Sequence, residues 1–66
     1  MNLTVNNQSV TTDATTLEGL VEETLGRLPE AGVAVAVDGD VVPRSQWNRD
    51  LESGLTIDIL TAVQGG

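Results

Sequence analysis

The chemistry this chain can offer is concentrated in its last five residues, Ala62-Val63-Gln64-Gly65-Gly66. Glycine has no Cβ, so Gly65 and Gly66 leave a terminal carboxylate clear of side-chain bulk and let the backbone lie flat against another protein. That carboxylate is ionised at neutral pH and, inside an enzyme channel, could attack the α-phosphate of a bound nucleotide as a weak nucleophile. Gly66 is therefore the candidate for modification. Gly65, Gln64, Val63, Ala62 and Leu60 are the candidates for contact with the enzymes that handle it. The competing account is a plain chain end, because termini fray and terminal glycines also arise as cloning scars. Four extended residues from Val63 to Gly66 reach about 13 Å at ~3.3 Å per residue, enough to carry Gly66 into a partner's cleft.

The other side chains exclude most alternatives. Among 66 residues there is no Cys, so there is no disulfide framework, no thiolate metal site and no thiol nucleophile. There is no His, which removes the usual general base near neutral pH and leaves metal binding to scattered Asp and Glu. The expectation is a chain that catalyses nothing, holds no metal and binds no cofactor of its own. Ten acidic residues against three arginines give a net charge of −7, which repels nucleic acid and anionic membrane and favours a partner with basic patches. The same acidity also serves solubility alone. No lysine occurs, so the chain accepts no isopeptide bond on its own side chains. No apolar run is long enough to span a bilayer and no basic segment precedes an apolar stretch, so a cytoplasmic location is expected.

A tail needs a body to present it, and the pattern upstream predicts a small α+β domain. Leu3-Thr4-Val5 alternates, Asn6-Asn7-Gln8 reads as a turn, and Ser9-Val10-Thr11-Thr12 is rich in β-formers, together an opening hairpin. Thr15 or Thr16 caps a helix, with Thr15-x-x-Glu18 fitting a capping box. Leu17, Leu20, Val21, Leu25 and Leu28 form one apolar stripe, while Glu22 and Glu23 face water. The helix is predicted to run to about Leu28, weakened by Gly19 and Gly26 and ended by Pro29 and Gly32. Val33 to Val37 suits a central strand with its valines toward the helix, and Asp38-Gly39-Asp40 is a tight turn. Val41-Val42 starts a short return strand that Pro43 stops. Arg44 to Trp47 follows as a loop or single helical turn. Trp47, the one aromatic residue, is expected to cover an end of the core, and Arg44 is either a solvated charge or a partner contact. After a turn at Leu51-Glu52-Ser53-Gly54, Leu55 to Thr61 alternates as the last strand, with Leu55, Ile57 and Ile59 inward.

One amphipathic helix covers one face of such a sheet, which makes a two-layer domain. If the last strand pairs beside the first, the order is that of a ubiquitin-like β-grasp: a mixed sheet of four to five strands with one main helix on one face. Residues 1–66 then form a single domain, with 62–66 as a flexible tail.

At this point the chain resembles the ThiS family, the sulfur carriers of thiamine biosynthesis. The matching features are the apolar first strand, the capped helix, Val41-Val42-Pro43-Arg44-Ser45-Gln46-Trp47, the turn at Gly54, the strand Thr56-Ile57-Asp58-Ile59-Leu60 and the final Gly65-Gly66. Val-Pro-Arg-x-x-Trp joined at this distance to Gly-Gly is the specific part; either half alone is weak. Gln64 stands where the family often has Ala, which bears on fit in a channel and leaves the carboxylate chemistry untouched. Asp58 stands where an apolar residue is expected in a last strand, which places its face at the surface.

The resemblance implies that Gly66 is adenylated by an E1-like, ATP-dependent adenylyltransferase of the ThiF type. The adenylate then becomes a thiocarboxylate, with sulfur drawn from cysteine through a cysteine desulfurase system, and a thiazole synthase of the ThiG type takes the sulfur. ATP belongs to the partner enzyme. Two alternatives stay open. One is a small subunit like that of molybdopterin synthase, which shares fold and thiocarboxylate; the shorter chain and the Pro-Arg-x-x-Trp segment argue against it. The other is a ubiquitin-like modifier or plain interaction module.

Overall fold

A computed structural model of the chain describes residues 1–62. Strands β1 (Asn2–Val5) and β2 (Gln8–Thr11) form the opening hairpin, paired antiparallel with Leu3 opposite Val10. Only Asn6 and Asn7 make the turn, with φ of 50° and 67°, the left-handed pair that a two-residue hairpin requires. Gln8, expected in the turn, is the first residue of β2.

Helix α1 (Leu17–Leu25) follows. Its cap is Thr16, whose hydroxyl accepts from the Gly19 amide at 3.1 Å. The capping box at Thr15 does not form, because distant backbone satisfies the other free amides of the first turn. Leu17 N–H donates to the Arg49 carbonyl at 3.0 Å and Glu18 N–H to the Trp47 carbonyl at 2.7 Å. The helix ends three residues before the expected Leu28, since Gly26 adopts φ 82° and its N–H closes on the Glu22 carbonyl at 2.8 Å. A glycine read as interior is in fact the left-handed cap.

Strands β3 (Val33–Val37) and β4 (Asp40–Val41) form a second hairpin across Asp38-Gly39. Val42 lies past β4, buried, with its N–H on the Val35 carbonyl at 2.8 Å. A 3-10 turn, Arg44–Gln46, leads to Trp47, and β5 (Thr56–Thr61) closes the chain. The sheet order is β2-β1-β5-β3-β4. The last strand runs parallel to β1 and antiparallel to β3, so β5 is central and β3 sits one place toward the edge, where the valine run suggested the middle. This is the mixed five-stranded sheet with one helix that defines a ubiquitin-like β-grasp.

Side-chain alternation sets the two faces. Leu3, Val5, Val35, Val37, Ile57 and Ile59 point at the helix and bury with Leu17, Leu20, Val21, Val42, Trp47 and Leu51. Leu25, Leu28, Val33 and Leu55 pack against that cluster while only partly buried. Glu23 is not simply solvated: the hydroxyl of the buried Thr12 donates to its carboxylate.

Candidate functional site

The end of β5 is where the sequence places function, and the register shows how it is held. On the β3 side the ladder runs from Val37 opposite Ile57 to Val33 opposite Thr61. It continues one step beyond the strands, where Ala62 N–H donates to the Gly32 carbonyl at 2.6 Å. On the other side β1 stops at Val5, opposite Ile57. The Asn6 side chain then takes over the pairing: its Oδ1 accepts from the Ile59 N–H at 2.8 Å and its Nδ2 donates to the Ile59 carbonyl at 3.2 Å. A carboxamide thus replaces the strand residue that the hairpin turn removed.

Leu60 and Ala62 are both exposed, and Leu60 keeps 67% of its surface in water. Leu60 lies on the sheet face away from the helix, opposite Ala34, with Asp58 opposite Ala36 one pair back. Val41, 75% exposed, extends the same face from β4. On the β3–β4 side the bare face is therefore small and apolar around one half-buried carboxylate, as expected from Asp58 at the surface, while Thr4 and Thr56 make it polar toward β1. Val63, Gln64, Gly65 and Gly66 lie outside the described residues.

Beside Ala62 opens a groove of about 340 Å³, walled by Leu25, Pro29, Ala31, Val33 and Thr61 with Arg27 at its side. One wall is the loop from Gly26 to Gly32. Arg44 reaches this loop. Its guanidinium donates through Nη1 to the Pro29 carbonyl and lies 4.7 Å from the centroid of the Trp47 ring. Trp47 is 2% exposed, and its Nε1 donates to the Val42 carbonyl at 3.0 Å, so it is the core cover that was expected. Arg44, expected as a solvated charge or a partner contact, is exposed and also has two partners within the chain. Asn6 and Gly32 were missed as holders of β5. Asn6 bonds a residue 53 positions away, which no local pattern announces. A glycine immediately before a valine run was a usable signal for Gly32, whose φ is 81°.

Among the described residues every buried side-chain polar atom has a hydrogen-bond partner, and no three acidic side chains converge as metal ligands. No helix among them is long and apolar enough to cross a membrane. What the site offers is a strand end gripped on both sides next to an open apolar face.

These features define a β-grasp protein of the ubiquitin-like class. The ThiS family model matches residues 2–66. The chain belongs to the ThiS family. A solved structure similar to it is that of a thiamine biosynthesis protein, ThiS, from Geobacter metallireducens. The two are 29% identical, with a TM-score of 0.72 and all of each chain covered. A search of curated protein sequences gives no match.

Proposed function

We propose that this chain is a sulfur carrier of thiamine biosynthesis whose Gly66 carboxylate is the group carried. The observation that supports this reading most is the family match, which runs through the body and on to Gly65-Gly66. In the proposed cycle an E1-like adenylyltransferase binds ATP, and the carboxylate oxygen of Gly66 attacks the α-phosphorus as pyrophosphate leaves. The carboxylate oxygen is a poor leaving group; as the phosphate oxygen of AMP it becomes a good one. The outer sulfur of a persulfide, supplied from cysteine by a desulfurase system, then displaces AMP from the acyl carbon to form an acyl disulfide. Attack of a second donor-side thiol on the inner sulfur releases the thiocarboxylate and leaves a disulfide on the sulfur donor. Thiazole synthase is the proposed acceptor of that sulfur.

The chain contributes recognition rather than catalysis. It is a protein substrate, with ATP bound by its partner and no cofactor of its own. Having no Cys, it has no side chain to divert arriving sulfur into a disulfide. Gly65 and Gly66 bring no bulk to a narrow active site, and Leu60 and Ala62 supply apolar contact at its mouth.

The test is the intact mass of the protein taken from its own cells, which should show a population with one oxygen replaced by sulfur. Removing Gly66 should abolish adenylate formation with the partner enzyme and leave thermal unfolding unchanged. Adenylate formation that survives the deletion refutes the proposal, and a ladder of conjugates on other proteins' lysines would replace it with a modifier.

A further inference from the structure

We infer that Arg44 is a positioning residue for the end of β5, holding the Gly26–Gly32 loop in the place from which Gly32 receives the Ala62 amide. The loop has little else to hold it. Leu28 and Pro29 are half-buried, and its other five residues are exposed. Leu28 packs on the edge of the core, and a pocket of about 100 Å³, lined by Pro29, Ala31, Val33, Arg44 and Trp47 among others, lies beside the rest of the loop. Both of its ends are glycines at positive φ, 82° at Gly26 and 81° at Gly32, where the backbone is least restricted by side-chain sterics.

Against that freedom stands one anchor. Among the described residues, the bond from Arg44 Nη1 to the Pro29 carbonyl is the loop's one side-chain hydrogen bond. The anchor is itself fixed. The guanidinium lies over the Trp47 ring, and Trp47 is buried and pinned to the Val42 carbonyl. A planar guanidinium does both tasks at once, since it stacks on an aromatic face while its edge N–H groups donate. The path then runs along four residues of backbone, from Pro29 to Gly32, and crosses to Ala62 through a 2.6 Å hydrogen bond. That bond lies one step beyond the last pair of the β3–β5 ladder, at the residue where the loop joins β3. Without Arg44 the loop swings on its two glycines, Ala62 loses its acceptor, and the chain leaves β5 one residue sooner over a range of directions.

The consequence for a partner enzyme rests on the function proposed above; the consequence for the Ala62 amide does not. Amide hydrogen exchange on the full chain, followed by NMR, separates the two. The reference amides are Thr4 and Asn6, which bond the Leu55 and Ile57 carbonyls on the opposite edge of β5. In Arg44→Ala, exchange at Ala62 should quicken by about tenfold relative to those references, the signature of local rather than global opening. Arg44→Lys, which keeps the charge and a donor but not the planar fork, should recover part of the protection. With the adenylating partner, Arg44→Ala should raise KM for the carrier several-fold at unchanged kcat.

Equal quickening at Ala62, Thr4 and Asn6, or none at Ala62, overturns the inference, because Arg44 would then act only on overall stability or not at all. A raised KM with Ala62 protection intact also overturns it and makes Arg44 a direct partner contact. Local opening at Ala62 with KM unchanged overturns the positioning of the substrate end. If the wild-type chain forms no adenylate, the proposed function fails, and the exchange result still decides what Arg44 holds.

Discussion

The two faces of the sheet are built from the same strands by the same alternation, yet they serve opposite ends. The inward face carries Leu3, Val5, Val35, Val37, Ile57 and Ile59, each no more than 5% exposed. The outward face carries Asn2 and Thr4 on β1, Thr56, Asp58 and Leu60 on β5, and Ala34, Ala36 and Val41 on β3 and β4, none of them buried. Among the described residues one α-helix supplies the apolar cover, and all of it lies on one side of the sheet. Stability is therefore concentrated on the inward face. The outward face is free to change with little effect on folding, which is what a docking surface needs.

The comparison breaks first at Leu20, which is fully buried at the centre of the helix stripe. Leu20→Ala should cost ~2–5 kcal/mol through lost burial and an unfilled cavity. That is a large share of the 5–15 kcal/mol typical of whole domains, so the thermal midpoint should fall steeply. An unchanged midpoint would mean the helix face is not what holds the sheet.

A middle case lies at the edge between the faces. Asn6 bonds both backbone groups of Ile59 with its side chain and also sits at φ 50°, so replacement by alanine would mix two effects. Asn6→Gly keeps the backbone conformation open and removes only the carboxamide. Two hydrogen bonds at a net ~0.5–1.5 kcal/mol each set the expected loss at about 1–3 kcal/mol. Faster exchange at the Ile59 amide should accompany it. If Ile59 keeps its protection, water or a slipped β1 replaces the carboxamide as well as the original did.

These residues also show what the sequence made legible. The inward face could be read because alternation and the 3.6-residue stripe are local signals, and the residues they picked out are buried or, at Leu25, Leu28, Val33 and Leu55, partly buried against the core. Of the two caps the sequence offered, Thr16 is the one that forms, and distant partners settle the other amides of the first turn. The first-turn amides bond the carbonyls of Trp47 and Arg49, and nothing near Thr15 encodes that. The helix's C-terminal end was misjudged for a local reason: Gly26 was weighed by its cost inside a helix and not by its ease at φ 82°. At the site, Leu60 and Ala62 could be placed by strand alternation. The grip of Asn6 and the reach of Arg44 depend on which strands are neighbours, and a single chain's pattern leaves that open.

The smallest effect on folding should come from the outward face, and there the comparison is sharpest. Leu60 is 67% exposed, beside Ala34, so truncating it uncovers little that was buried and leaves no cavity. Leu60→Ser should change stability by less than about 0.5 kcal/mol, as surface substitutions away from special features do. The same change removes the large apolar side chain nearest the strand's end, so binding to the proposed adenylating partner should weaken, read as a higher KM at unchanged kcat. Paired measurements of unfolding and of KM on the Leu20 and Leu60 variants then give opposite patterns if the two faces divide their labour. Should Leu60→Ser unfold the protein, the outward face is part of the core. Should it leave KM unaltered, docking uses another surface, and the open side of the sheet has only solubility to explain it.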